Sequence, residues 1–211
     1  MFFSNSLEAQ LKQWNEVIRN QPQNPNAYIR RGMVNFQLAK IYESIQDFDT
    51  AEQLDKRLKP YLWQRGLSYY YAERFAEGAQ QFEIDLTVNA QDVEETVWRY
   101  LCMARLVGVK EAGNSLLTVK NDPRRVMQSV YNLFAGTCTP DDVLNVGRLE
   151  GNKGNFYSHL YLGLYYEAEN NLDLAQYYIV KAADNYKIDD YMWYVAQVHK
   201  KLGEQAKVFT E

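Results

Sequence analysis

Apolar residues recur along this chain at intervals of three and four, the spacing that lays a stripe along one face of a helix. Leu7, Leu11, Trp14 and Ile18 form the first stripe. Ser6 stands where a capping side chain would start that helix, and Pro22 and Pro25 close it. Val126, Val130 and Phe134 share another helical face, behind Asp122-Pro123 as its start signal. Thr139-Pro140-Asp141-Asp142 repeats that signal ahead of Val143, Leu144 and Val146. Gly151-Asn152-Lys153-Gly154 reads as a loop. Near the end, Asp189-Asp190 starts a helix that runs through Trp193, Val198 and Leu202 and stops at Gly203. Nowhere does the chain alternate apolar and polar residues as a strand would, so the expectation is an all-α fold.

The stripes repeat. Gly32 and Gly66, Ser44 and Gly78, and Phe48 and Phe82 are separated by one shared interval of thirty-four positions. That is the period of a paired-helix repeat. The first copy runs Asn24-Pro25-Asn26-Ala27-Tyr28 to Arg31-Gly32, then Ser44, Phe48 and Ala51. The second runs Leu62-Trp63-Gln64-Arg65-Gly66-Leu67-Ser68-Tyr69, then Gly78, Phe82 and Asp85. Leu162-Gly163-Leu164-Tyr165-Tyr166, followed by Ala175, Ile179 and Ala182, is a further copy. Between them lies a degenerate one. Tyr100 takes the glycine position there, while Ala112, Leu116 and Val119 keep the second-helix stripe. A bulky residue at the small position predicts a wider or shifted helix crossing.

These motifs resemble the tetratricopeptide repeat (TPR) family. The resemblance implies a right-handed superhelical solenoid in one domain, 1–211. Its parts are an N-terminal helix (6–21), repeat 1 (25–56), repeat 2 (59–90), degenerate repeat 3 (93–120), an irregular hairpin (122–150), repeat 4 (155–186) and a C-terminal capping helix (190–203). Within the family, about 62–203 is similar to a bacterial lipoprotein adaptor of the outer membrane. The runs that carry this are Arg65-Gly66-Leu67-Ser68-Tyr69-Tyr70, Trp98-Arg99-Tyr100-Leu101, Phe156-Tyr157 and Tyr161-Leu162-Gly163-Leu164-Tyr165-Tyr166. That similarity implies a dimeric scaffold for cell-wall hydrolases. The chain lacks the lipoprotein signal and acylation cysteine of that adaptor.

Carried over position by position, the family's concave groove is lined by Ile29, Met33 and Phe36, then by Trp63, Leu67, Tyr70 and Tyr71. Val97, Leu101 and Arg105 follow, then Leu160, Leu164 and Glu167. The lysine-and-asparagine clamp of chaperone-binding relatives is replaced by Ile29, Met33 and Glu94. The groove is therefore expected to dock an apolar helix or extended peptide. The alternative is a structural homodimer whose groove is filled by a helix of its own chain.

Composition narrows the function further. The 211 residues carry a net charge of −4, and the basic pairs Arg30-Arg31, Arg124-Arg125 and Lys200-Lys201 are isolated, which argues against a nucleic-acid partner. No apolar run reaches the length of a membrane span. Met1 to Asn5 lack the regions of a secretory signal, so the default compartment is the cytoplasm, or the periplasm or an organelle for a trimmed chain. Cys102 and Cys138 have no ligand-spaced neighbours, so no metal or cofactor is expected. Cys138, in Gly136-Thr137-Cys138-Thr139-Pro140 before a helix start, is the sole candidate nucleophile. His159, four residues before Gly163, reads as a packed or capping residue, and Asp141-Asp142 and Asp189-Asp190 as helix-start acids. The expectation is a non-catalytic adaptor.

Overall fold

The computed structural model describes residues 2–120 and 122–208, with side-chain burial for 6–120 and 122–205. Met1 lies outside these bounds, and so do the side chains of the next four residues, on which the signal reading rests. Among the described residues the chain is all helical, with no strand. It groups into two compact units, 1–89 and 90–211, where the sequence reading has one domain.

The first unit holds α1 (Phe2–Asn20), α2 (Pro25–Gln37), α3 (Ile41–Leu54), a 3-10 helix (Lys56–Tyr61), α4 (Trp63–Tyr71) and α5 (Phe75–Asp85). The second holds α6 (Val93–Val107), α7 (Val109–Asn114), α8 (Arg125–Phe134), α9 (Pro140–Leu149), α10 (Gly151–Ala168), α11 (Leu172–Asn185) and α12 (Tyr191–Val208). Neighbours in sequence pack in pairs, most closely α10 with α11 and α2 with α3, then α9 with α10 and α4 with α5.

The repeat offset has a structural counterpart. A Cβ at Gly32 would meet the Phe48 ring at 3.2 Å, one at Gly66 the Phe82 ring at 2.6 Å, and one at Gly163 the Ile179 side chain at 2.6 Å. In each pair a side chain of the second helix lies on bare backbone of the first, at one constant separation in sequence. A polar contact follows the same interval. Arg31 binds Asp47 through paired contacts of 2.6–3.1 Å, Arg65 binds Gln81 at 2.7 and 2.9 Å, and Arg99 reaches the Ser115 carbonyl at 3.0 Å.

The turns inside the pairs also match. Ala39, Glu73, Gly136 and Asn170 sit in the left-handed region, at φ of 62°, 58°, 71° and 59°. After each, the next amide reaches back across the turn, as Lys40 N to the Asn35 carbonyl at 2.8 Å and Arg74 N to the Tyr69 carbonyl at 2.9 Å. Thr137 to Asn132 and Asn171 to Tyr166 repeat it, both at 2.8 Å. This motif caps a helix and returns the chain within a few residues.

The third pair departs from the rest. Tyr100 stands at the glycine position, its ring edge-on to Phe134 at 5.0 Å. Its partner helix α7 ends at Asn114, so the expected stripe breaks: Ala112 is helical, while Leu116 and Val119 lie beyond the helix, with Val119 still buried. Gly113 and Asn114 are poor helix formers, and β-branched Thr118 and Val119 follow.

Other boundaries also move. Ser6 lies inside α1 rather than capping it. Asp122 holds the Arg124 amide at 2.8 Å, but α8 begins only at Arg125. Gly151 to Gly154 are helical instead of a loop, because only Gly151 needs a positive φ (69°). A Cβ at Gly147 would lie 2.9 Å from the Gly154 carbonyl oxygen, so these glycines bring α9 and α10 together. Gly203 does not stop α12, which runs to Val208. The Thr139 start is as expected, with Thr139 and Asp142 capping each other's amides at 3.3 and 2.8 Å.

Candidate functional site

On α2 and α4 the candidate groove residues separate by depth. Ile29 and Met33 lie four apart on α2 and are half-buried, as are Trp63 and Tyr71 on α4. Arg31 and Asn35, also four apart, occupy a different face of α2 and bind Asp47 on α3. Phe36, Leu67 and Tyr70 are core residues, between 0% and 5% exposed. They support the surface rather than form it. Tyr71 packs edge-on against Phe36 at 5.6 Å and Tyr70 at 5.4 Å, and Tyr70 packs against Phe75 at 5.5 Å. The structure thus joins Phe36, Tyr70 and Tyr71 in one aromatic stack.

In the second unit Leu101 is fully buried, and so are Val97, Leu160 and Leu164. Arg105 is exposed and faces Glu167 at 3.9 Å. Glu167 also lies 3.8 Å from His199, whose burial holds it below the usual histidine range. These two border a cavity of about 270 Å³ between α10, α11 and α12, walled by Leu172, Ala175, Ile179 and Val180.

A different cluster forms where α6, α10 and the residue before α12 meet the 122–124 segment. Arg124 bridges Glu94 at 3.0 Å and Asp122 at 2.7 Å. Tyr157 donates to Asp190 at 3.0 Å, and Lys153 lies 3.8 Å from the same carboxylate. Burial pushes Glu94 up to about 7, against the pull of Arg124, and Asp92 and Asp190 push the same way. Sequence reasoning noticed Glu94 only as a missing clamp residue and did not find this cluster. Its members come from four separate stretches, and no spacing rule links them.

The candidate nucleophile does not fit its role. Cys138 is half-buried and donates to the Ser129 carbonyl at 3.4 Å. Burial and the nearby Asp142 raise its thiol, opposite to the lowering expected at a helix start. Cys102 is buried, raised to about 12, and both cysteines are free. His159 donates through Nδ1 to the Asn155 carbonyl at 2.7 Å and packs against the Tyr186 and Tyr178 rings, as its packing role predicts. Asp190 receives the Met192 amide at 3.0 Å, a helix-start role. Among the described residues no helix is long and apolar enough to cross a membrane, and no cluster of His, Cys, Asp or Glu is suited to a metal ion.

No protein-family model matches the sequence, and no curated protein matches it.

Proposed function

We propose that this chain is a non-catalytic adaptor of TPR type, which docks a partner polypeptide on the α2 and α4 face. One observation carries the reading. Trp63 and Tyr71 are half-buried on α4, and Tyr71 stands on the buried rings of Phe36 and Tyr70. Anchored aromatics of this kind present a large rigid contact at low entropic cost. The matched hairpin contacts of Arg31, Arg65 and Arg99 support the repeat reading. So do the short motifs within 62–203 that resemble those of the TPR adaptor new lipoprotein I.

The test is affinity capture with the full chain and with Trp63→Ala plus Tyr71→Ala. Tyr70 is left intact because it is core. The double variant should lose partner capture by tenfold or more, in line with losses of about 2 kcal/mol at an interface anchor, while keeping its helical circular dichroism. Undiminished capture by a folded double variant would sink the groove reading.

A second reading, a homodimer, draws on α1. Arg31 Nη1 binds Asn15 at 2.9 Å, and Arg65 Nη1 binds Asp49 at 3.0 Å. Asn15 and Asp49 are one repeat period apart, as are Trp14 and Phe48. So α1 holds the place beside α2 that α3 holds beside α4, a second helix with a half-buried Trp14 where Phe48 covers Gly32. A second copy seated on Leu11, Trp14 and Ile18 would complete that pairing. The native mass of the captured protein separates the readings: a dimer that Trp14→Ala splits favours this one, and a concentration-independent monomer removes it.

A further inference from the structure

Protein interiors are packed closely and hold few voids larger than a water molecule. The cavity of about 270 Å³ between α11 and α12 departs from that rule. Its walls are apolar: Leu172, Ala175, Ile179 and Val180 from α11, and the bare backbone of Gly203 from α12. A Cβ at Gly203 would meet nothing within 4 Å, so the α12 wall leaves open space. Ile179 is 2% exposed and Leu172 is 62% exposed, so the cavity runs from the core out to solvent.

Part of the lining is polar. Glu167 of α10 and His199 of α12 line the cavity 3.8 Å apart, with side chains 23% and 14% exposed. Arg105 lies 3.9 Å from the Glu167 carboxylate. A carboxylate offers about four acceptor positions, so Glu167 can keep these neighbours and still take an N–H from a ligand. Burial holds His199 below the usual histidine range, so at neutral pH it adds no positive charge. Lys200 also lines the cavity, but its ammonium is held by Asp184 at 2.7 and 2.9 Å. Glu204 brings a second carboxylate to the lining.

We propose that this cavity binds a small hydrophobic amine, with its hydrocarbon body between α11 and α12 and its ammonium on the Glu167 carboxylate. Size and charge both select that chemistry. A cavity of about 150 Å³ takes benzene, so this one has room for a body of roughly eight to ten carbons. The lining carboxylates of Glu167 and Glu204 outnumber its one ammonium, Lys200, which Asp184 already balances. An ammonium is complementary to that balance, and a fatty acid of the same size is repelled by it. A charged N–H on a partly buried carboxylate makes one of the stronger hydrogen bonds available to a ligand. The site lies within 90–211 and stands independently of the α2 and α4 face.

The test is a nuclear magnetic resonance titration of the full chain with methyl-labelled isoleucine, the Ile179 resonance being the one lost in Ile179→Val. The probes are hexylamine, 1-hexanol and hexanoate, which share a body and differ in the head. Hexylamine should shift the Ile179 methyl saturably, at a dissociation constant of about 1 mM. Hexanol should bind about tenfold more weakly, and hexanoate more weakly still. Glu167→Gln should bring hexylamine to the level of hexanol. Should that variant not fold, the order of the three probes on the unaltered chain replaces it. The proposal is overturned by no saturable shift at about 20 mM hexylamine, by equal binding of hexylamine and hexanol, by hexanoate binding as well as the amine, or by a folded Glu167→Gln that binds hexylamine undiminished. Without any probe, a contact between Phe209 and the Ile179 methyl would assign the cavity to the end of this chain. A shift of that methyl with protein concentration would assign it to a second copy. Either result also overturns the proposal.

Discussion

Gly66 shows how much one missing methyl group can decide. A Cβ there would stand 2.6–2.9 Å from three atoms of the Phe82 ring, which is itself buried. The ring is stiff and cannot move aside as a long side chain could. Gly66→Ala should therefore cost about 1–2 kcal/mol, the overpacking penalty less the helix gain of alanine. Gly203, also helical, has open space around its Cβ position. Gly203→Ala should stabilise by about 0.5–1 kcal/mol. Thermal melting of the two variants checks both signs. The sequence marks Gly66 through its offset from Gly32. The Arg31, Arg65 and Arg99 series has the same spacing and could have been read with it. The open space at Gly203 could not, because nothing local tells a glycine under a ring from one beside a cavity.

At the scale of elements, the turns govern how the helices pair. Ala39 and Glu73 adopt the left-handed conformation without being glycine, at a cost of about 1–2 kcal/mol for an L-residue. Ala39→Gly should raise stability by about 0.5–1 kcal/mol, since the relief exceeds the extra entropy glycine loses on folding. Chemical denaturation should show a higher midpoint with an unchanged slope. A lower midpoint would mean that the Ala39 methyl packs. Element ends were the least legible part of the chain. Tertiary contacts carry helix through Gly151 to Gly154 and past Gly203, while α7 stops short of its apolar stripe. Glycine weakens a helix but does not forbid one when packing supplies the difference.

For the whole molecule, the response to pH sums over its buried acids. Burial raises Asp85, beside Gln81 and Arg65, to about 7, and Glu94 likewise, while Asp47 moves in the same direction. A raised carboxylate holds its proton more tightly folded than unfolded. Its stabilising effect is present at low pH and is lost as pH rises through the folded value. His159 and His199 are lowered, so they favour the folded state above the usual histidine range and oppose the trend below it. Stability should therefore decline as pH rises from about 4 to about 7 and level off above that, by on the order of 2–4 kcal/mol from Asp85. Asp85→Asn should flatten that decline in a series of melting curves. An unaltered decline would assign it to Glu94 or to another group.

By itself the sequence determined the helical class and the thirty-four-residue interval shared by Gly32 and Gly66, Ser44 and Gly78, and Phe48 and Phe82. These are local periodicities, and they hold wherever the chain goes. Tertiary structure alone decided which apolar residues became core. Phe36, Leu67, Tyr70 and Leu101 are buried, while Ile29, Met33, Trp63 and Tyr71 keep some surface. An apolar stripe on a helix spans a broad arc, and only the neighbouring helices determine which part of it is covered. The same reason hides the Glu94 and Arg124 cluster. Its residues come from α6, the 122–124 segment, α10 and the approach to α12, and their closeness is a product of packing rather than of spacing.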